Sequence, residues 1–270
     1  MRVIGIDVGA TKTEAVLWDG ESWQLILREE STPELARNIE QFSLRLLEGY
    51  QAEVVGVAVA GPVRGREIVE IPNLGVGGIT VSPSTPVELI NDANAFAFAE
   101  SRLEYPERSP LLGVTIGTGV GAGLVIDGEL YVGRGLACEL GHVFVASEGK
   151  VCGCGGVDHL EAYFSGRALE RELGMVPELA LKEKPQEVRR MLRYLARGLA
   201  NAVHLLDPDI VVIGGGLGLA LNLDDLKAEL KSLLLPGFEP ELVKSGVEHA
   251  SAIGAALWAS DVVERGRPRT

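Results

Sequence analysis

The chain has 270 residues, 46% of them hydrophobic, which is enough to bury a substantial core in one large domain or in two compact ones. Its 38 acidic residues outnumber 25 basic ones, and the net charge of −13 would repel a phosphate backbone, so we expect no nucleic-acid partner. An apolar strand pattern follows Met1 directly, without a basic leader or a stretch that could span a bilayer, so we expect a cytoplasmic protein with no membrane partner.

The first part of the chain predicts an antiparallel β-meander followed by helix and strand in turn. Residues 2–28 alternate apolar strands with a Gly-rich turn and an Asp-Gly turn. Apolar residues from Leu35 to Leu46 then recur at helical spacing, and short buried strands are predicted at 53–61 and 87–92. Both of these strands end in polar or glycine residues, where a site could form.

The second half begins with a segment similar to the start of the chain. Residues 115–129 resemble residues 7–21, since each segment has a strand end, a Gly/Thr turn, an apolar strand and then Asp-Gly-Glu. We interpret the similarity as a duplication, which implies two lobes, although Gly-rich hairpins can also become similar independently.

The remaining segments alternate helix and strand, and this alternation predicts an α/β architecture. They are a long core helix at 186–206, a buried strand at 210–216, a helix near 224–234, a short strand near 241–247 and a last helix from about 251.

We place the boundary between the lobes near Ser109, where a charged stretch precedes a strand. Residues 1–109 would form a small lobe that the last helix, 251–270, joins. Residues 110–250 would form a large lobe that contains the Cys- and His-rich stretch at 138–161 and the Gly-rich stretches at 117–119 and 214–216.

Two Gly-rich hairpins are candidates for phosphate binding. Glycines let a backbone bend closely around an anion, a hydroxyl and an ammonium group add to the attraction, and a strand-end carboxylate such as Asp7 suits Mg²⁺. A simple hairpin turn is the alternative, but two such hairpins could hold a triphosphate from both sides. The candidate residues are Asp7, Gly9, Thr11, Lys12, Gly117, Thr118 and Gly119.

A third Gly-rich stretch follows the strand that begins at Ile210. The Walker pattern is absent from the chain, and residues 214–220 miss the dinucleotide pattern GxGxxG because Leu219 occupies the last glycine position. Three consecutive glycines, Gly214, Gly215 and Gly216, could instead let a nucleoside approach the backbone, although close strand-to-helix packing explains them equally well.

The segment NDANA, residues 91–95, is the candidate catalytic segment. Asn91 and Asp92 end a strand and precede a predicted helix, so one of them could simply cap that helix. Phosphoryl transfer to an alcohol needs a carboxylate within hydrogen-bond reach of the attacking hydroxyl, and Asp92 could be that general base. From this segment alone, the two interpretations are about equally supported.

Residues 138–161 combine metal ligands with acidic residues. Cys152 and Cys154 lie too close for a relaxed disulfide, and with His142 and His159 they make four ligands suited to tetrahedral structural zinc. Free thiols beside unrelated histidines are the alternative, and Cys138 stands outside the set. Two further carboxylates, Glu139 and Glu161, could bind sugar hydroxyls or could be solvated surface charges.

These residues resemble the ROK family of sugar kinases and sugar-responsive repressors over nearly the whole chain. The resemblance rests on GIDVGATKT, the AGP at 60–62, PNL at 72–74, NDANA, IGTGVGAG and, above all, ELGH followed by CGCGGVDHLE. It implies a two-lobed, actin-like (ribonuclease H-like) ATPase fold with duplicated mixed β-sheets, MgATP as donor and a hexose in a central cleft. It also implies Asp92 as base, and Asn73, Asn91, Glu139, His142 and Glu161 as sugar contacts.

The sequence departs from the family pattern at three places. The zinc motif usually reads CxCGxxGC, whereas His159 stands at the final cysteine, so the site would be Cys2His2. Cys138 replaces a glycine that usually precedes Glu139. The tryptophan that commonly follows PNL is replaced by GVGGI.

The resulting hypothesis is ATP-dependent phosphorylation of a hexose 6-hydroxyl, with glucose as first choice. N-acetylglucosamine, N-acetylmannosamine, mannose and fructose are the alternatives. A sugar-sensing DNA-binding regulator is disfavoured, because Met1 lies two residues before the first strand and the net charge has the wrong sign. A chaperone-like or filament-forming ATPase would not need the zinc cluster. We also expect a homo-oligomer, a dimer or tetramer, and we expect zinc to organise the sugar site at a distance from the Gly-rich hairpins.

Overall fold

The computed structural model describes residues 1–266, which form two compact units. Unit one comprises Met1–Pro106, Gly128–Ala137 and the chain from Val247 onward, and unit two comprises Glu107–Asp127 and Cys138–Gly246. The short segment Gly128–Ala137 therefore returns to unit one, and no pattern in the sequence predicted this return. The last four residues of the predicted terminal helix, 267–270, lie outside the described residues.

Unit one is built on a mixed sheet with the strand order β3-β2-β1-β4-β8. Its strands are β1 (Val3–Val8), β2 (Lys12–Trp18), β3 (Trp23–Glu30), β4 (Val54–Val59) and β8 (Val87–Asn91). The first three strands run antiparallel to one another, as the predicted meander requires, while β4 and β8 run parallel to β1. A small antiparallel sheet of the same unit contains β5 (Val63–Arg64), β6 (Glu67–Ile71) and β7 (Val76–Thr80).

The helices of unit one all follow the meander in sequence. They are α1 (Pro33–Arg37), α2 (Ile39–Tyr50), α3 (Asp92–Leu103) and α10 (Ala250–Arg265), and the two-residue strand β11 (Glu129–Leu130) also belongs to this unit. The single helix predicted through Leu35 and Leu46 is thus two helices. They separate at Asn38, whose backbone leaves the helical region (φ −105°, ψ 23°) and whose amide closes α1.

Glycines let helix α10 lie directly on the sheet of unit one. A side chain at Gly5 or Gly56 would collide with the carbonyl groups of Ala252 and Ala255, and one at Gly254 would collide with the carbonyl group of Ala95. These close approaches pack α10 against β1 and β4 of the sheet and against helix α3.

Unit two contains a second mixed sheet, and its strands are arranged in the order β10-β9-β12-β13. The strands are β9 (Leu111–Ile116), β10 (Val120–Ile126), β12 (Ile210–Gly214) and β13 (Glu241–Lys244). The helices are α4 (Leu160–Tyr163), α5 (Gly166–Leu173), α6 (Pro177–Glu183), α7 (Pro185–Leu206), α8 (Gly216–Ala220) and α9 (Leu223–Lys231). Helix α7 carries the predicted apolar stripe, and its Leu192, Leu195 and Leu199 are buried in the core of this unit.

The two sheets repeat one arrangement of strand directions. In unit one, β2 is antiparallel to β1 while β4 and β8 are parallel to it; in unit two, β10 is antiparallel to β9 while β12 and β13 are parallel to it. The carboxyl ends of parallel strands meet at one sheet edge, which is where ligands bind in open α/β sheets. Among the described helices, none is both long and apolar enough to cross a membrane.

Candidate active site

Asp7 and Asp92 lie at the same edge of the unit-one sheet. Asp7 ends β1, and Asn91, immediately before Asp92, ends β8, two strands away in the parallel part of the sheet. Burial, together with the negative charges of Asp92 and Glu14, raises the pKa of Asp7 to about 8, against the opposing effect of Lys12. The edge therefore gathers carboxyl groups whose charged form a cation would stabilise.

Asn91, rather than Asp92, caps helix α3. The Oδ1 atom of Asn91 accepts hydrogen bonds from the backbone N–H groups of Ala93 and Asn94 at 3.0 and 3.1 Å. The Nδ2 group of Asn91 donates to the carbonyl oxygen of Gly61 at 3.2 Å and to Asp92 Oδ1 at 3.1 Å. The helix cap is thus supplied by Asn91, and Asp92 is held in place at the first turn by its neighbours.

Asn73 reaches the neighbourhood of this edge through the small sheet. It lies in a short 3-10 helix, Pro72–Leu74, that follows β6. A side chain at Gly61 would collide with the carbonyl oxygen of Glu70 and touch the ring of Pro72, so the AGP segment packs directly against this part of the chain. The predicted sugar residues of unit one are therefore gathered around Gly61.

A buried carboxylate that the sequence analysis missed lies beside the first hairpin. Glu14 is 5% exposed and is paired with Asp7 across β1 and β2. It contacts Lys12 Nζ at 3.0 Å, Arg28 Nε at 2.6 Å and His249 Nδ1 at 3.2 Å. Burial acts to raise the pKa of Glu14, but the hydrogen bonds from Lys12, His249 and Arg28 outweigh it and the net shift is downward.

The second hairpin and the glycine run lie together in unit two. Residues Gly117–Gly119 join β9 to β10, and Gly117 N–H donates to the carbonyl oxygen of Gly119 at 3.0 Å. Gly215 has a φ of 78° and is so close to the backbone of Ile116 that no side chain would fit. Residues 214–216 therefore start next to the hairpin, and close packing is at least one reason for these glycines.

Glu161 is attached to the second hairpin. Its Oε2 atom accepts a hydrogen bond from the backbone N–H of Val120 at 2.9 Å, and a side chain at Gly119 would collide with the same oxygen. Residues 138–161, which contain the candidate zinc ligands, are called the zinc segment. The expectation that this segment lies at a distance from the Gly-rich hairpins is therefore wrong for the second hairpin. Glu161 is a half-buried side chain with a fixed partner, whereas the side chain of Glu139 is 48% exposed.

The four predicted zinc ligands come together in unit two. One ligand atom from each of His142, Cys152, Cys154 and His159 lies within 4.8 Å of all the others. Cys154 Sγ lies 3.2 Å from His159 Nδ1, and Cys152 Sγ lies 3.9 Å from His142 Nδ1. A tetrahedral zinc ion with ordinary bond lengths would separate a sulfur and a nitrogen ligand by about 3.6 Å. The donor set and its spacing fit zinc.

His142 is placed between this cluster and Glu139. Its Nδ1 atom faces Cys152, while its Nε2 atom lies 3.9 Å from Glu139 Oε2. Burial raises the pKa of Glu139; His142 opposes this shift and the charge of Glu161 adds to it. Glu139 itself follows Cys138, whose φ of 64° explains why a glycine suits that position.

Asp158 anchors the zinc segment and was not found by sequence reasoning. Its Oδ1 atom accepts hydrogen bonds from the hydroxyl of the buried Tyr163 and from the backbone N–H groups of Glu148, Gly149 and Lys150. Asp158 occupies the glycine position of the CxCGxxGC pattern and has the φ of 61° that favours glycine. An aspartate in left-handed backbone, followed by His159, thus replaces the usual Gly-Cys pair.

Comparisons with known proteins place these residues in a family context. A model of the ROK family matches residues 3–262. N-acetylmannosamine kinase of Haemophilus influenzae is 30% identical over 292 residues, which cover 97% of this chain and 97% of that protein.

Two solved structures are similar to the chain over nearly its whole length. The ROK hexokinase from Thermus thermophilus has 31% identity and a TM-score of 0.80, with 98% of this chain and 100% of that chain covered. A ROK family glucokinase from Streptomyces griseus, in complex with glucose and AMPPNP, has 28% identity and a TM-score of 0.80, with 97% and 100% covered. The predicted α/β fold of the actin-like, ribonuclease H-like ATPase class is confirmed by these likenesses.

Proposed function

We propose, since the chain belongs to the ROK family and is an ATP-dependent sugar kinase, that it transfers the γ-phosphoryl group of ATP to the 6-hydroxyl of a hexose. The observation that carries this proposal is the position of Asp92 at the sheet edge beside Asp7, with the helix-capping role taken by Asn91. A carboxylate at this position could accept a proton from the attacking hydroxyl.

Glucose is the acceptor we favour, and N-acetylmannosamine is the second candidate. The similar hexokinase and glucokinase structures support glucose, while the curated relative of Haemophilus influenzae supports N-acetylmannosamine. A few contacts around one hydroxyl or acetamido group decide between such sugars. We assign those contacts to Asn73, Asn91, Glu139, His142 and Glu161.

Asp92 would act as the base because its local contacts hold it in one place. Its Oδ1 atom accepts from the backbone N–H of Ala93 at 2.9 Å and from Asn91 Nδ2 at 3.1 Å. Both of these donors bind Oδ1, and they would orient the carboxylate toward the proton that leaves the sugar hydroxyl.

Asp7 would hold Mg²⁺ with the phosphates of ATP. The fit is supported by Asp7 Oδ1, which is buried and finds no hydrogen-bond donor within residues 1–266. Mg²⁺ prefers carboxylate oxygens and retains several waters, and when bound it neutralises charge on the transferred phosphoryl group. Lys12, together with Gly9 and Thr11, would bind the phosphates from the first hairpin, and Gly117, Thr118 and Gly119 from the second. Gly214–Gly216 would lie against the nucleoside.

The zinc site would be structural, with His142, Cys152, Cys154 and His159 as a closed set of four ligands. Burial raises the pKa of the Cys152 thiol to about 11, and a bound zinc ion would keep that sulfur deprotonated. The same segment contains Glu139 and Glu161, so the metal would order two of the sugar contacts. We retain the expectations of a cytoplasmic location, where ATP is available, and of a homo-oligomer.

A coupled assay tests this function. Purified protein with MgATP is given glucose, N-acetylmannosamine, N-acetylglucosamine, mannose and fructose in separate reactions, and ADP formation is recorded. We expect glucose to give the highest kcat/KM. Absence of ADP formation with every sugar, combined with tight sugar binding, would instead identify a sugar-sensing protein without catalysis.

The matched variant is Asp92→Asn, which keeps the side-chain shape and removes the base. We expect kcat to fall by about 100- to 10,000-fold while hexose still binds, because a general base acts mainly in the transition state. Near-normal turnover of Asp92→Asn would remove Asp92 from its assigned role.

A further inference from the structure

Glu161 is one carboxylate with two oxygens in different surroundings. The Oε2 atom is bound to the backbone N–H of Val120 at 2.9 Å and fills the space over Gly119. The Oε1 atom faces Gly153 of the zinc segment, because a Cβ atom built on Gly153 would lie 4.0 Å from Oε1 and farther from Oε2. The same side chain therefore contacts the proposed phosphate-binding hairpin and belongs to the proposed sugar-binding segment.

The chain that follows Glu161 is attached to the same hairpin. The backbone carbonyl of Glu161 accepts a hydrogen bond from Ser165 Oγ at 2.9 Å. Next along the chain, the N–H groups of Gly166 and Arg167 donate to the carbonyl oxygens of Gly117 and Thr118 at 2.8 and 3.2 Å. These hydrogen bonds therefore couple the hairpin to the segment that starts at Glu161, so that a movement of either one displaces the other.

We propose that Glu161 couples hexose binding to nucleotide binding, by holding a sugar hydroxyl with one oxygen and the phosphate hairpin with the other. This inference rests on the proposed function, which supplies the two ligands. The ligand that binds first fixes the Glu161 carboxylate. The second ligand then binds without the entropic cost of fixing that carboxylate again. The two ligands then bind with positive cooperativity, and the coupling is reciprocal.

Gly119→Ala tests the coupling from the side of the hairpin. Gly119 has no positive φ, so alanine is compatible with its backbone, and the added methyl group would collide only with the end of the Glu161 side chain. The substitution should displace the carboxylate without changing any residue assigned to the sugar. We expect glucose affinity, measured by calorimetry without nucleotide, to fall by about five- to tenfold.

Gly246→Ala is the matched control. It adds the same methyl group to a glycine of unit two that has no assigned ligand, also without a positive φ, but into open space. We expect it to change glucose affinity without nucleotide by less than about twofold. Equal effects of the two substitutions on glucose affinity, or no effect of Gly119→Ala, would overturn the proposal.

The coupling itself is measured by titrating glucose with and without saturating AMPPNP and Mg²⁺. We expect the analogue to tighten glucose binding by about fivefold or more in the unchanged protein. In Gly119→Ala this factor should fall close to one. An unchanged coupling factor in Gly119→Ala would contradict the assignment of Glu161.

Glu161→Gln gives a second measurement that does not depend on how well Gly119→Ala folds. A carboxylate can accept from Val120 and from a sugar hydroxyl with different oxygens, whereas the amide of glutamine has only one oxygen to offer. We expect its coupling factor to be close to one, and a factor equal to that of the unchanged protein would overturn the inference. These titrations require binding but no turnover, so they separate this inference from the proposed kinase activity. N-acetylmannosamine is titrated in parallel.

Discussion

The two Gly/Thr hairpins are similar in sequence, yet they are surrounded by different chemistry. In the first copy, Asp7, Lys12 and Glu14 are all ionisable, and Glu14 is bound to Lys12, Arg28 and His249. When residues 7–21 are laid over 115–129, the three corresponding positions of the second copy are uncharged, namely Thr115, Val120 and Ala122.

The second hairpin receives its carboxylate from another part of the chain. Glu161 reaches the backbone of Val120, and helix α5 begins against Gly117. One duplicated strand-turn-strand unit has therefore been used in two ways. The first copy has its own ionisable side chains for the proposed metal ion and phosphates, and the second copy has a backbone link to Glu161 in the proposed sugar-binding segment.

The largest expected difference between the copies follows from Asp7→Asn. We expect kcat to fall by at least about 100-fold and the magnesium dependence to weaken, because the charge that suits the metal is lost. The melting temperature should change little, since Asp7 is a strand-end side chain whose buried Oδ1 atom has no hydrogen-bond donor within residues 1–266 to lose. Turnover against magnesium concentration and thermal unfolding are the measurements.

Thr115→Val is the control at the corresponding position of the second copy. It removes a polar group from the same place in the duplicated strand, and we expect less than a tenfold loss of kcat. If Asp7→Asn loses stability in proportion to activity, or if the two variants lose equal activity, the division of roles between the copies is wrong.

The next effect concerns the segment that supplies Glu161. Since the energy of binding at a structural zinc site is also folding energy, His159→Ala should lose zinc and weaken glucose affinity by about tenfold or more. His159→Cys, which restores the usual family ligand, should keep one zinc per chain and most activity. Metal analysis and glucose titration of the two proteins are the measurements, and full zinc with normal glucose affinity in His159→Ala would remove His159 from the site.

The smallest effect is expected for Glu14→Gln in the first copy. Glu14 fixes Lys12, so its neutralisation should raise the KM for MgATP by about three- to tenfold and leave the KM for glucose unchanged. Arg28→Gln removes another partner of Glu14 without changing Lys12, and it should leave both KM values unchanged. A loss of thermal stability without any change in the KM for MgATP would mean that Glu14 serves only the fold.

The local motifs were readable in the sequence because each depends on neighbouring residues. The meander at 2–28, the helix at 186–206 and the four zinc ligands are short-range patterns of periodicity, turn chemistry or ligand spacing. The choice between Asn91 and Asp92 as helix cap was not readable, since both residue types cap helices well. It depended on which side chain reaches Ala93 and Asn94 in three dimensions.

By itself, the sequence determined the α/β class, the duplication and the membership of the chain in a family of sugar kinases and regulators. Only the tertiary structure decided which distant groups meet. Glu14 with His249 and Glu161 with Val120 are separated by 235 and 41 residues, and no local pattern predicts such pairs. They form because strand pairing and close glycine contacts bring the backbone segments together, and a buried carboxylate then requires whatever donors the fold has placed beside it.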